Sequence, residues 1–381
     1  MWGSTVAGKD VLRVSAGSDE IRCAVVGYGA AFNQGRSHAR QISETPGLRL
    51  TAVCDMDPAR AAAAQADFPG IQGYTDVQTM ISAGVADLAA VVVPHRFHAP
   101  VALTCLRAGL HVVVEKPMAL TIAECTAMIE AAREGRRMLT VYHNRRADGD
   151  FLTLYDLVVR RGLIGEVFHI EYYSGGYHRP GGAWRADKAV SGGAFYDWGA
   201  HIVDWVLGLM RDGAGDGGRA VPMEAITGFF HKRLWHDVTN EDQVQGIIRF
   251  AGGRTADVQQ STISLGPKPR WRILGTGGAI LDRGDRVRAR GGERGACVVA
   301  VPVAGHAAQF QVPYGDRDPS SFYARVHAHL AGGASVPVTP ESARRVIAVL
   351  ELAERSSAAG QAERVPYEDS LGGPHCTWPV G

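Results

Sequence analysis

The stretch SGGAFYDWGAHIVDWVLGL, residues 191–209, sets two carboxylates and an imidazole into an otherwise apolar run. Asp197, His201, Asp204 and Gly208 fall at i, i+4, i+7 and i+11, which is one face of a helix. Side chains four apart on a helix stand about 5 to 6 Å from each other, so Asp197 and His201 can reach one cavity. Such a pair suits proton exchange at a hydroxyl: histidine is the usual base near neutral pH, and a carboxylate beside it orients the imidazole or the substrate. The competing account is that an aspartate and a histidine on a buried helix only hydrogen-bond each other and their surroundings. Asp204 is read in that second way, as a residue bonding a loop or backbone.

A second set of residues suits a phosphate. After the apolar run IRCAVV (21–26) comes GYGAAFNQGRSHAR, starting Gly27-Tyr28-Gly29. A glycine pair lets backbone approach a pyrophosphate, whose charge is met by amides at the next helix N-terminus. Asp55 closes a second apolar run 28 residues after Gly27, where a carboxylate can accept both ribose hydroxyls of an adenosine. Its alternative role is a helix N-cap ahead of Pro58. Two more strand ends, VVVPHRFH with Pro94 and His95 and VVVEKP with Glu115, Lys116 and Pro117, point to the same crevice. A lysine placed directly after an apolar strand is poorly explained as a solvated charge, although a salt bridge at the sheet edge would account for it.

These residues need a scaffold. The runs IRCAVV, LRLTAVC (48–54), LAAVVV (88–93), HVVVE (111–115) and MLTVYH (138–143) are continuous apolar strands of a parallel sheet buried on both faces. Helical stretches DPARAAAAQADF, APVALTCLRAG and TIAECTAMIEAAREG separate them, so the first half is a doubly wound α/β fold of Rossmann type. Beyond Val221 the runs MEAITGFFHKRLW, EDQVQGIIRF, GRTADVQQSTIS, RWRILGTGGAIL and ACVVAVPV follow without an intervening helix, which predicts mostly antiparallel sheet. At 381 residues two domains are the natural division. The expected layout is a flexible lead-in over 1–19, a nucleotide-binding domain over 20–143, an α+β domain over 144–365 and a tail over 366–381. A net charge of +1 provides no field to draw nucleic acid or anionic membrane. No segment approaches the roughly 18 apolar residues of a membrane span, and no secretory leader is present, which predicts a cytoplasmic protein. Six scattered cysteines lack zinc-ligand spacing, so no metal site is expected.

Taken together, the Gly-x-Gly turn, the acid after the second strand, EKP, and GGAFYDWGAHIVD resemble the glucose-fructose oxidoreductase, inositol dehydrogenase and MocA family over roughly residues 20–360. The resemblance implies a Rossmann domain followed by a domain built on a large open mixed sheet, and a closing helix in TPESARRVIAVLELAERSSAAGQ. It implies Lys116, Asp197 and His201 as catalytic residues. Cofactor contacts are implied for Gly27, Tyr28, Gly29, Ala30 and Ala31 of the turn, Asp55, Pro94, His95, His98, Glu115 and Lys116, and for Trp184 and Arg185. The stretch YHNRRADGDFLTLYDLV is similar to the branch with scyllo-inositol dehydrogenases and adds Asn144 beside the cofactor and Arg145 at the substrate; Tyr172 and His178 are further cleft candidates. Phe32 stands where the fingerprint has its third glycine, leaving Gly35 to take that role across a longer turn.

The function so implied is hydride transfer between nicotinamide and a ring secondary hydroxyl or ketone of a sugar, sugar derivative or inositol. His201 would exchange the hydroxyl proton with a pKa near neutrality, and Lys116 would steady the alkoxide. Asp55 favours NAD over NADP, because its charge falls where a 2′-phosphate would sit. A redox-neutral use of NAD, with epimerisation or elimination, and a non-catalytic nucleotide sensor are the alternatives. The partners expected are a small polyol or sugar and further copies of the chain in a homodimer or homotetramer that covers the open sheet.

Overall fold

The computed structural model describes residues 20–29, 32–215, 218–266, 268–289, 292–318 and 322–368. The expected lead-in 1–19, positions 369–381 of the expected tail, Cys376 and the turn residues Ala30 and Ala31 lie outside the described residues.

Strands β1 (Ile21–Val26), β2 (Leu48–Cys54), β3 (Gln72–Tyr74), β4 (Leu88–Val91), β5 (His111–Val114) and β6 (Leu139–Val141) form one sheet in the order β3-β2-β1-β4-β5-β6. Every pairing in it is parallel. Val25, Val53, Ala90 and Val113 are fully buried, as continuous apolar strands covered on both faces must be. Helices α1 (Gln34–Glu44), α2 (Pro58–Asp67), α3 (Val77–Ser82), α4 (His98–Arg107) and α5 (Ile122–Glu134) connect the strands. The chain runs outward from β1 to β3 and returns to β4, so the strand order switches between β1 and β4 and opens a crevice beyond their carboxyl ends.

Some details depart from the sequence reading, among them β6, which is Leu139–Val141 within the run 138–143, and β5, which ends at Val114. The edge strand β3 is only three residues long and mostly exposed, so it carries no apolar signal. Strand β4 stops at Val91 rather than Val93 because Val92 bends against the glycine turn: a Cβ on Gly27, whose φ is +97°, would lie 2.2 Å from the Val92 carbonyl oxygen.

The second sheet has ten strands. Its central strand β7 (Val167–Gly175) pairs in parallel with Thr255–Ser261 and antiparallel with Trp271–Gly275, and the remaining pairings are antiparallel. The large mixed sheet implied by the resemblance is therefore present. Strand β7 itself was not foreseen, because outward-facing Phe168 and Tyr173 blur its alternation. The stripe helix (Ala194–Leu209) and the closing helix (Pro340–Ala359) pack against one face of this sheet. The closing helix starts as its sequence demands: Thr339 caps the Ser342 N–H with Pro340 at the first turn, and Gly360 ends it at φ +68°. Among the bonds that join the halves, two flank the crevice at the start of α5. The Tyr196 hydroxyl donates to the Leu120 carbonyl at 2.9 Å, and the Ile122 N–H donates to the Glu351 carboxylate at 2.6 Å.

Gly35 does take the close-packing position left open by Phe32. A Cβ there would lie 2.2 Å from the Gly27 carbonyl oxygen and 2.7 Å from the Tyr28 Cα. Because backbone cannot yield as a side chain tip can, Gly35→Ala should lose about 1–3 kcal/mol of stability and weaken nucleotide binding. Denaturant unfolding and a fluorescence titration check this, and an unchanged unfolding midpoint would refute it.

Candidate functional site

Beyond the carboxyl ends of the parallel strands lies a cleft of about 750 Å³. It brings together Gly27, Tyr28, Gly29, Asp55, Pro94, His95, His98, Glu115, Lys116, Trp184 and Arg185. Gly29 has φ +34° and open space where a Cβ would stand. Helix α1 opens onto the cleft without a side-chain cap from Asn33 and without an acid in its first turn. Its first N–H groups and the positive end of its dipole are thus available to an anion, and this part of the cleft fits a dinucleotide pyrophosphate.

Asp55 is not the helix cap. Asp57 caps α2 by accepting from the Ala59 N–H at 2.9 Å. The Asp55 carboxylate instead accepts from the Tyr28 and Gly29 N–H groups at 2.8 and 2.9 Å through Oδ2, and from the Asp57 N–H at 3.0 Å through Oδ1. It braces the glycine turn while facing the cleft.

The strand-end residues are fixed by backbone. His98 is fully buried with Nδ1 2.6 Å from the Pro117 carbonyl and Nε2 2.8 Å from the Val93 carbonyl, so it ties the two strand-end loops together. The His95 Nδ1 lies 2.7 Å from the Ser191 carbonyl, and its ring stands 4.6 Å from Trp184. Burial first, then the charges of His98 and Lys116, pushes His95 down to about 3. The Glu115 carboxylate accepts from the Lys116 N–H at 2.9 Å and pairs with the His38 Nε2 at 3.1 Å; the His38 Nδ1 sits 2.7 Å from the Tyr323 hydroxyl. Burial pushes Glu115 upward, but the His38 hydrogen bond together with the charges of His38, Lys116 and His98 outweighs it and holds the carboxyl below its ordinary range.

At the inner end of the cleft Lys116 meets the stripe helix. Its Nζ donates to the Asp197 carboxylate at 2.6 Å and to the Asp197 carbonyl at 2.9 Å, while Arg185 Nη1 stands 3.7 Å from the other carboxylate oxygen. An ammonium has three donors, so one remains for a ligand. Burial pushes Asp197 upward, yet the charges of Lys116 and Arg185 hold its carboxyl below the usual range. One turn on, His201 is buried and its Nδ1 has no hydrogen-bond partner. Burial, followed by the charges of Lys116, His143, Arg145 and Arg185, pushes it well below 6.5. The expectation of a base near neutrality is therefore corrected: the imidazole is neutral well into the acid range.

Other candidates are placed differently. Arg145 stacks over Trp198 at 4.5 Å, and Trp198 stands 5.9 Å from His201, which puts Arg145 on the histidine's flank. Asn144 lines a separate cavity of about 400 Å³ rather than the nucleotide cleft. Tyr172 is buried in the packing between sheet and stripe helix, 4.6 Å from Trp271, and His178 is exposed on a loop. Asp204 bonds the turn after β6 through a side chain rather than through backbone: it forms a buried bidentate pair with Arg146 at 2.9 and 2.7 Å.

Two residues escaped the sequence reading. Phe32 lines the cleft with the Arg185 guanidinium 3.8 Å over its ring, and its only signal was its place at the third-glycine position. His143 stands 5.9 Å from His201, and its signal was a polar residue ending an apolar strand. Among the described residues no helix is long and apolar enough to cross a membrane.

Comparison with known proteins agrees with this fold. Residues 21–143 match the family model for an oxidoreductase family with an NAD-binding Rossmann fold, and residues 153–281 match that for the GFO/IDH/MocA C-terminal domain. The uncharacterized oxidoreductase YdgJ of Escherichia coli is 32% identical over 222 residues, 57% of this chain and 62% of that one, so the match spans less than two thirds of that relative. The scyllo-inositol 2-dehydrogenase (NADP+) IolW of Bacillus subtilis is 27% identical over 89% of this chain and 94% of its own. An NAD-binding protein from Listeria innocua has the same fold, with a TM-score of 0.75 at 24% identity over 93% of this chain and 98% of that one.

The buried histidines make a pH prediction. His95 lies at about 3, His111 and His143 at about 4, and His201 is also lowered, against an unfolded value near 6.5. Below pH 6.5 the unfolded chain takes up protons that the folded chain refuses, so stability falls with pH until each folded value is passed. The slope is about 1.4 kcal/mol per pH unit for each such histidine. Denaturant unfolding at pH 7 and pH 5 should thus differ by several kcal/mol, a window above that of the paired carboxylates; equal stability at the two would mean the rings are not buried neutral.

Proposed function

The chain belongs to the GFO/IDH/MocA oxidoreductase family, and from that premise we propose that it transfers hydride between NAD and a ring secondary hydroxyl or ketone of a sugar, sugar derivative or inositol. The observation that carries this reading is the Lys116–Asp197 pair at 2.6 Å at the inner end of the nucleotide cleft, with the unbonded His201 imidazole one turn further on. Bound NAD would take up or return the hydride. Gly27, Gly29 and the start of α1 hold its pyrophosphate, Asp55 its adenosine ribose, and Trp184 and Arg185 wall the nicotinamide end.

In alcohol oxidation the neutral His201 accepts the hydroxyl proton. Lys116, fixed through two of its donors to Asp197, gives the third to the same oxygen and stabilises its growing negative charge. Asp197 is thereby the residue that aims the lysine. In ketone reduction the same groups act in reverse. We read the protein as a cytoplasmic homo-oligomer, a reading supported by Phe168, Phe229 and Phe310, each more than two-fifths exposed on strands of the open sheet.

The test is a panel of inositols, sugars and sugar acids with NAD+ or NADP+. Stoichiometric NADH release is expected, whereas consumption of substrate without it would assign a redox-neutral reaction instead. Lys116→Ala and His201→Ala should each lose roughly 10²-fold or more in turnover while NAD affinity stays near normal. Wild-type rates in either variant would refute the assigned roles. The relative named for NADP+ makes cofactor choice a separate question. The Asp55 carboxylate supports NAD, and Asp55→Asn, which keeps an acceptor for the turn amides and removes the charge, should narrow a preference for NADH over NADPH in fluorescence titrations. Tighter NADPH binding by the unmodified protein would overturn this.

A further inference from the structure

Behind the catalytic end lies a second imidazole that the reaction as described does not use. His143 follows β6, is 2% exposed, and stands edge-on to His201 with ring centroids 5.9 Å apart. The Nδ1 atoms of both rings are buried without a hydrogen-bond partner. An unsatisfied buried nitrogen in each of two adjacent rings calls for an explanation. The His143 Nδ1 lies 3.5 Å from the Asp204 carboxylate, which Arg146 holds in place, and the ring also borders the cavity of about 400 Å³ lined by Ser37, Gln41, Tyr142 and Asn144. His143 is thus set between His201 and a separate polar cavity.

We propose that His143 is a proton relay: it takes from His201 the proton released by the substrate hydroxyl and passes it, steadied by Asp204, to water in the second cavity. This rests on the dehydrogenase reading and extends it. The bookkeeping of atoms is simple. The hydroxyl O–H bond breaks, a proton reaches one nitrogen of His201, the proton on the other nitrogen passes to His143, and a proton leaves His143 for water. The hydride takes both electrons of the C–H bond to NAD.

The charges around the two rings set the direction of travel. His201 is influenced by Lys116, His143, Arg145 and Arg185, all of which disfavour its cation. His143 is faced by Asp204 and His201 from the stripe helix, by Arg146 from its own turn, and by Lys116 and Glu115 from the end of β5. Burial lowers it most, but Asp204 and Glu115 pull it back up, to about 4. Of the two rings, His143 is the one that carboxylates face, Asp204 at 3.5 Å from its Nδ1 and Glu115 from the end of β5, so a proton passed to it meets compensating negative charge. This accounts for Asp204: the third residue of the stripe acts through His143.

The test has one arm that needs no turnover. Imidazole NMR on protein with labelled histidine, assigned with His143→Gln and His201→Gln, should show His143 titrating at higher pH than His201, with Asp204→Asn lowering the His143 value. The reverse order would overturn the relay even if the protein proves to be the proposed dehydrogenase. In the second arm His143→Gln should lose roughly 10-fold or more in the rate of alcohol oxidation, with KM and NAD affinity nearly unchanged, an altered solvent isotope effect, and partial recovery with added imidazole. A folded His143→Gln variant with wild-type rate and isotope effect would refute the proposal; should that variant not fold, His143→Asn is read by the same criteria. An unmodified protein that turns over no polyol, yet gives the expected titration order, would fail the dehydrogenase reading and leave the ordering of proton affinities standing.

Discussion

The site hangs on one ion pair. Lys116 leaves the end of β5 in the nucleotide sheet and ends 2.6 Å from Asp197, in the first turn of a helix that covers the other sheet. A largely buried ammonium is tolerable only with a charged and hydrogen-bonded partner, and a carboxylate at a helix N-terminus is favoured by the dipole. The two elements must therefore keep their mutual position to within a fraction of an ångström, since losing either partner leaves the other charge stranded. The neighbouring bonds serve that registration. The Tyr196 hydroxyl reaches the Leu120 carbonyl three residues after Pro117, and Glu351 of the closing helix grips the start of α5. Further along the same stripe the Arg146–Asp204 pair clamps the chain segment after β6 to the helix.

The nucleotide end obeys a different constraint, backbone clearance. Gly27 lies against Val92 and Gly35 lies against Gly27, so β1, β4 and the start of α1 converge more closely than any side chain permits. That closeness makes Asp55 serve two purposes. Its Oδ2 already satisfies two amides of the turn, leaving Oδ1, with one amide bound, as the atom with capacity to spare. On the proposed reading turn rigidity and ribose recognition would depend on the same carboxylate, so a substitution made there to change cofactor preference would also loosen the turn.

Much of this was legible in the sequence because the signals were local. Strands β1 and β2 have the boundaries their apolar runs give, and the glycine turn and the strand-end lysine follow from position relative to those runs. What was not legible depended on distant partners. The short strand β3 has no hydrophobic pattern, and β7 shows too many aromatic residues on its outer face for the alternation to stand out. The same limit applies to the stripe. A period of 3.6 shows that Asp197, His201 and Asp204 share a face, yet nothing in the spacing says that the first meets a lysine from β5 and the third an arginine after β6. His143 had only the weak mark of a polar residue closing an apolar run.

The stripe also bears on what kind of base the proposed reaction would use. An exposed histidine titrating near neutrality would hold a proton between turnovers, and its rate would track bulk pH. His201 is surrounded by cations and shielded from water, so its charged form is a high-energy state with no anion of its own. A base of that kind works only while the proton it accepts can move on, and for the reverse reaction only while one can be delivered. Asp197 cannot receive it, being committed to Lys116 and Arg185. On the proposed relay the path leads through His143, which Asp204 faces at 3.5 Å, and the i, i+4, i+7 spacing of the helix is what sets Asp204 beyond His201 on the same face. If His201 is the base we propose, its deep burial and the extension of the polar stripe by one further turn answer the same physical requirement.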